Sequence, residues 1–305
     1  MRSVLTTTTP DEIAAKPAAD PRLIASLVSV YVIWSSTYLA MRILVVELPP
    51  LLSAAVRFLT AGTVMLVIAL RRGASLPSPR DCLRVAPAGI LLFVGGNGFV
   101  SIGSQSLMSG GIAAVCATMP LWVGVLGYSI GERPTAREWL SLIVGFAGVL
   151  VLLGSPSLAG KPIHIALVIA SPILWAAGSL MARRARDVGG AHAGVVGPAL
   201  QMLTGGAALT VIALCRGERM PLDASATSWL ALGYLIVFGS LVAFTGYAWL
   251  LRNARPVVAT SYAYVNPILA VLIGAVLYDE PLTWTAGVAN ILIVGAVMLA
   301  LRRRA

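Results

Sequence analysis

Arg57 is the only formal charge deep inside an apolar run of this 305-residue chain. Its run covers about residues 48–70, which puts it roughly 3 Å from the middle at the helical rise of 1.5 Å per residue. A guanidinium at that depth is costly unless it faces protein or water. Ser53, Ala54, Thr60 and Ala61, its neighbours at helical spacing, are small or polar. Leu51, Leu52, Phe58, Leu59 and Leu66 fill the other faces, so Arg57 faces the bundle. Two roles fit: binding an anionic group such as a substrate carboxylate, or capping the carbonyls of a broken neighbouring helix.

Other polar residues fall into stripes. Tyr31, Ser35, Tyr38 and Arg42 sit at i, i+4, i+7 and i+11 of one rod, with Trp34 beside them. Asn97, Ser101 and Ser104 do the same just after Gly95-Gly96; later, Thr260, Tyr264 and Pro267 share one face, and Tyr262 and Asn266 another. Such faces either line a cavity, where rings stack on an amphipathic solute, or hydrogen-bond helix to helix. Core packing is the simpler role for any single aromatic, and Arg42 also fits a snorkelling side chain. The candidate cavity residues are therefore Tyr31, Trp34, Ser35, Tyr38, Arg57, Asn97, Ser101, Trp175, Tyr262, Tyr264 and Asn266. Pro120 and Pro267 interrupt two runs at equivalent places, and paired interruptions point to a transport site or hinge. Glu132 and Glu280, beside Pro134 and Pro281 at span ends, read as helix-end structure or gating contacts.

The absences narrow the chemistry. All twelve acidic residues lie in the tail, in loops or at span ends, and His164 and His192 sit near span ends. A proton relay uses a carboxylate or His within the membrane, so uniport or exchange fits better than proton coupling. An intramembrane protease or metalloenzyme needs His inside the bundle, and no GxxxxGK[ST] loop is present to hold ATP. Cys82, Cys116 and Cys215 form neither a disulfide framework nor a CxxC pair. The expectation is no enzyme, no cofactor and no metal.

Composition says which elements must position these residues. Apolar residues make up 58% of the chain and charged ones 11%, against about 25% charged in a soluble domain. No soluble fold of this length hides so much apolar surface, so the solvent is lipid. Cutting at charges and Gly/Pro clusters gives ten runs, near 23–43, 48–70, 85–105, 110–131, 138–155, 163–183, 192–214, 228–251, 256–278 and 283–301. Runs three and four form one uncharged block, expected to turn at Ser109-Gly110-Gly111. With the N-terminus inside, 17 basic residues fall on the cytoplasmic side and four on the other, which predicts both termini cytoplasmic. The net charge of +10 thus orients the chain and does not signal nucleic acid. Residues 1–22 are polar and rich in Pro, Ala and Thr, a disordered cytoplasmic tail.

The runs repeat. WSSTYLAMR (34–42) matches WAAGSLMAR (175–183) at an offset of 141, and RFLTAG (57–62) matches QMLTGG (201–206) at 144, placing Gln201 opposite Arg57. The stretch through Pro120 and GERP (131–134) matches that through Pro267 and YDEP (278–281) at 147. Five spans per half is odd, so the second half (163–302) enters from the other side of the membrane from the first (23–155). The expected fold is an all-α polytopic membrane protein of ten transmembrane helices in two inverted five-helix repeats. A cavity is expected between the halves, lined by the first, third and fourth spans and their mates six, eight and nine.

WSSTYLAMR, AAVRFLTAG, ATSYAYVNPILAVLIGAVLYDEPLTW and the closing Gly-rich apolar helix resemble EamA-type exporters of the drug/metabolite transporter superfamily, over about residues 23–302. The resemblance implies a bacterial inner-membrane secondary transporter that exports amino acids, related metabolites or drugs by alternating access. A lipid or lipid-head-group translocase is the alternative within the same superfamily. The implied partners are a small-molecule substrate and membrane lipid, for a monomer or homodimer.

Overall fold

Helix starts are written into the chain by proline, whose fixed φ suits the first helical position and whose missing N–H is not needed there. Four helices begin this way, at Pro21, Pro50, Pro79 and Pro162. The computed structural model describes residues 20–128, 136–185, 187–254 and 262–301. Residues 1–19 of the expected tail, Glu132 and the side chain of Tyr264 lie outside the described residues. In chain order the helices are α1 (Pro21–Leu44), α2 (Pro50–Arg71), α3 (Pro79–Gly103), α4 (Ser109–Tyr128) and α5 (Ala136–Leu153). They continue with α6 (Pro162–Arg184), α7 (Ala193–Cys215), α8 (Ala226–Tyr247, helical on to Asn253), α9 (Tyr262–Tyr278) and α10 (Trp284–Leu301). Among the described residues there is no strand. Seven helices, α1 to α4 and α6 to α8, are long and apolar enough to cross a membrane; α5, α9 and α10 carry shorter apolar stretches.

Three boundaries differ from expectation. The Asp20 carboxylate accepts the Arg22 N–H and caps α1, so Pro21 and Arg22 belong to the helix and not to the tail. A capping box between Ser78 and Asp81 starts α3 at Pro79, six residues before the apolar run. The turn after α3 is Ser104–Met108, and Ser109, Gly110 and Gly111 open α4 instead of forming the turn. Packing is the reason: a Cβ on Gly110 would stand 2.6 Å from the Val271 side chain, and one on Gly111 2.6 Å from the Ser157 carbonyl.

The main pairings are α2 with α7, α5 with α10, α1 with α8 and α9, and α6 with α3 and α4. Exchanging each helix for the one five places away leaves this pattern unchanged. At the α2–α7 crossing a Cβ on Gly62 would sit 3.0 Å from Leu203, and one on Gly206 2.9 Å from Leu59. Gly62 and Gly206 hold equivalent repeat positions, as do Leu59 and Leu203, so the contact is reciprocal and the two helices run antiparallel. Small residues let the backbones approach where no water drives them together. Apolar side chains such as Ile143, Phe146, Val276 and Ile291 point outward, as a lipid solvent permits.

Three helices widen locally to π geometry: α1 over Ser29–Ile33, α3 over Ile90–Gly98 and α8 over Leu235–Val242. The last two are repeat mates. In α4 a turn at Ala117–Thr118 separates Ser109–Cys116 from Met119–Tyr128, directly before Pro120. Pro172, inside α6, cannot donate to the Val168 carbonyl; the Ser171 hydroxyl does so at 2.9 Å. Irregular helix of this kind concentrates at functional sites.

Candidate functional site: a central cavity with one cation

The irregular stretches of α3, α4, α6 and α8 meet α1, α2 and α9 around a cavity of about 100 Å³. That is smaller than the roughly 300 Å³ at which drug-sized pockets begin. Its wall carries seven aromatic residues. Trp34 packs 5.0 Å from Tyr247 and 5.1 Å, edge-on, from Tyr262, and Phe58 lies 4.5 Å from Phe93. The Trp34 indole N–H donates to the Gly239 carbonyl at 3.2 Å, fixing the ring against the π stretch of α8. In the other half Trp175 lies against Gly96, where a Cβ would stand 2.4 Å from its ring.

Arg57 is the only charged residue in the wall among the described residues. It is 6% exposed, its Nε donates to the Ser240 hydroxyl at 2.7 Å, and its guanidinium carbon lies 4.8 Å from the centre of the Phe58 ring. Among the described residues no carboxylate pairs with it. The buried side-chain polar atoms without a partner are Ser53 Oγ and Asn290 Oδ1. The Arg57 Nη nitrogens are not in that sealed class; they bond no described protein group and stay open to the cavity. Arg57 therefore does lie against a broken helix, yet it bonds that helix through a side-chain hydroxyl, leaving its fork unspent.

Of the sequence candidates, Trp34, Tyr38, Arg57, Asn97, Trp175, Tyr262 and Asn266 are brought together in the wall. Ser35, Ser101 and Tyr31 are not. Ser35 is fully buried behind the wall, its hydroxyl within donating reach of either the Tyr31 carbonyl or, at 3.2 Å, Asn266 Oδ1. Ser101 is buried with its hydroxyl 3.8 Å from the Met41 sulfur. Pro120 follows the break in α4, and Pro267 lies inside continuous α9, next to the wall residue Asn266.

Sequence reasoning missed Ser240, Pro172 and the apolar wall residues Phe93 and Phe244. Ser240 had a signal: it is the repeat mate of Asn97, as Gly239 is of Gly96. The apolar residues had none, since an apolar side chain in a span suits lipid, a neighbouring helix or a cavity equally.

A second cluster closes the end of the bundle where α1 finishes. Glu280, after α9, accepts from the Arg42 guanidinium, from the Ser109 N–H at 3.0 Å and from the Ser109 hydroxyl at 2.8 Å. Glu218 accepts from the N–H groups of Leu51 and Leu52 at 3.1 and 2.8 Å, and Glu47 from the N–H of Ser225 at 2.9 Å and the hydroxyl of Ser228 at 2.6 Å. Three carboxylates thus cap the positive N-terminal ends of α4, α2 and α8, each across the bundle from its own hairpin. Hydrogen bonds from Ser225 and then Ser228 hold the Glu47 carboxyl below its usual range, against a smaller opposing effect of burial.

Comparison with known proteins agrees with this architecture. The profile of the EamA-like transporter family matches residues 22–154 and again residues 162–302. The uncharacterized inner membrane transporter YedA of Escherichia coli (strain K12) is 40% identical over 278 residues, covering 91% of this chain and 90% of its own. The uncharacterized transporter YvbV of Bacillus subtilis (strain 168) is 26% identical with 82% of each chain covered, and protein PecM of Dickeya dadantii (strain 3937) is 23% identical with 88% of each. One solved crystal structure superposes with a TM-score of 0.65 at 22% identity, over 92% of this chain and 96% of its own, and shares the fold. The chain belongs to the EamA-like transporter family and is a membrane transporter, not an enzyme.

Proposed function

We propose that this transporter exports small organic solutes, such as amino acids, related metabolites or drugs, by opening the central cavity alternately to the two faces of an inner membrane. The observation that carries the reading is the cavity itself. It forms where repeat-related helices lose regular hydrogen bonding, and it holds a cation whose fork no described group fills. Ten spans in two inverted halves are supported by the exchange symmetry of the helix contacts and by the antiparallel crossing of α2 and α7. The excess of basic residues on the side of the N-terminus supports cytoplasmic termini. Export, as opposed to uptake, follows the likeness to exporters, and the inner membrane follows YedA.

In this mechanism the Arg42–Glu280–Ser109 cluster closes the outer end, while the halves rock about Pro120 and Pro267. No observation favours the lipid-translocase alternative. The test is counterflow in proteoliposomes, without a pH gradient, of labelled amino acids, lipophilic cations and small organic carboxylates, with Arg57→Ala beside wild type. Saturable flux above protein-free vesicles is expected. A background rate for every solute would remove the transport reading, and flux that requires an imposed proton gradient would remove uniport and exchange.

A further inference from the structure

Taking the transport reading as its basis, we infer that the cargo of the central cavity is an organic monoanion: a carboxylate, or a like oxyanion, on a small apolar body. The charge count of the wall decides the class. Among the described residues of the wall, Arg57 contributes one positive charge and none contributes a negative one. In a low-dielectric site, a monoanion brings the total to zero, a zwitterion leaves it at plus one, and a cation raises it to plus two. Only the first removes the cost of keeping a lone guanidinium inside the membrane.

The geometry of Arg57 favours the same ligand. Ser240 holds Nε at 2.7 Å, so the planar head is fixed while both Nη nitrogens remain open, and a fork of N–H donors matches a carboxylate. Rings attract cations, but the Trp34 ring shares its place with the guanidinium. Trp34 bonds the carbonyl of Gly239, and Arg57 Nη2 lies 3.0 Å from where a Cβ of that same glycine would stand. An ammonium against Trp34 would meet the Arg57 charge. Phe58, Phe93 and Phe244 then cover a small apolar body. The reading also accounts for a cavity wall without an acid. A monoanion leaving a cell whose interior is negative moves down the electrical gradient, so its export needs no proton-carrying carboxylate.

Three probes with the same phenylalkyl body separate the classes: 3-phenylpropanoate, phenylalanine and phenethylammonium. Binding to the purified full-length protein in detergent, by titration calorimetry, is measured for wild type, Arg57→Gln and Arg57→Lys. We expect 3-phenylpropanoate to bind wild type at least about tenfold more tightly than the other two, and to lose at least about tenfold in Arg57→Gln, with partial recovery in Arg57→Lys. Should Arg57→Gln not fold, Ser240→Ala replaces it, with a weakened anion and the other two probes unchanged. The inference is overturned if phenylalanine or phenethylammonium binds as tightly, if the anion binds a folded Arg57→Gln or Ser240→Ala protein undiminished, or if no anion binding saturates. Transport is read separately by counterflow of the same probes. Anion binding without flux would sink the transport reading alone; flux of phenylalanine without anion binding would sink this inference alone.

Discussion

Arg57 is held by two residues whose roles differ. Ser240 supplies the one hydrogen bond that orients the guanidinium, and Gly239 supplies the absence of a side chain that lets it lie there. Removing one charge-assisted bond is worth about 1.5 kcal/mol or more, so Ser240→Ala should raise the half-saturation concentration in counterflow roughly tenfold with little change in maximal rate. Gly239→Ala should do more harm, because its methyl would displace the guanidinium and press on Thr37, lowering the maximal rate as well. Equal kinetics for the two variants would separate Arg57 from the binding step. Arg57 was legible in the sequence because a lone charge in an apolar run has few places to go. Ser35 and Ser101 lie outside the wall: helical spacing shows which residues share a face, but not whether that face meets a cavity or a neighbouring helix.

The helices are held by close approach in the middle and by carboxylate caps at one end. Gly62→Val should cost about 1–3 kcal/mol through contact with Leu203 and the Ala199 carbonyl. Gly124→Ala, where no atom lies within 4 Å of the new methyl, should leave stability unchanged or raise it slightly; thermal unfolding in detergent compares them. Glu47 makes one cap sensitive to pH. Its folded pKa lies below the unfolded value of about 4.3, so its contribution is complete above that value and is lost as pH falls through the folded one. Wild type should therefore lose its stability advantage over Glu47→Gln progressively as pH falls below that unfolded value, and a constant difference on acidification would show that the cap is not linked to protonation. Sequence alone placed Glu47, Glu218 and Glu280 at span ends, but the helix each one caps belongs to another hairpin, which no local pattern records.

For the whole molecule, the expected consequence is a cavity whose outer end is shut by Arg42 and Glu280. Cys116 lies on the cavity wall, so with Cys82 and Cys215 replaced by serine it reports access. An impermeant maleimide added from outside should label Cys116 several-fold faster in Glu280→Gln than in wild type; equal rates would place the seal elsewhere. If the cargo is a monoanion, an inside-negative potassium diffusion potential should speed 3-phenylpropanoate efflux at least about fivefold and leave phenylalanine unaffected. Reporter fusions at both ends, active only in the cytoplasm, check the orientation drawn from the basic residues.

What the sequence determined by itself is whatever the bilayer dictates: apolar runs must become helices because no water satisfies their backbones, and a charge within them must face inward. The repeat offsets of 141 to 147 residues likewise announced two related halves. Only the tertiary structure decided which inward faces meet in a cavity, and that Ser240 answers Arg57. It also decided that Gly110 and Gly111 serve close packing instead of a turn. The physical reason is that in lipid the polar-out, apolar-in contrast vanishes. Packing partners are then chosen by shape and by a few hydrogen bonds between residues more than a hundred positions apart.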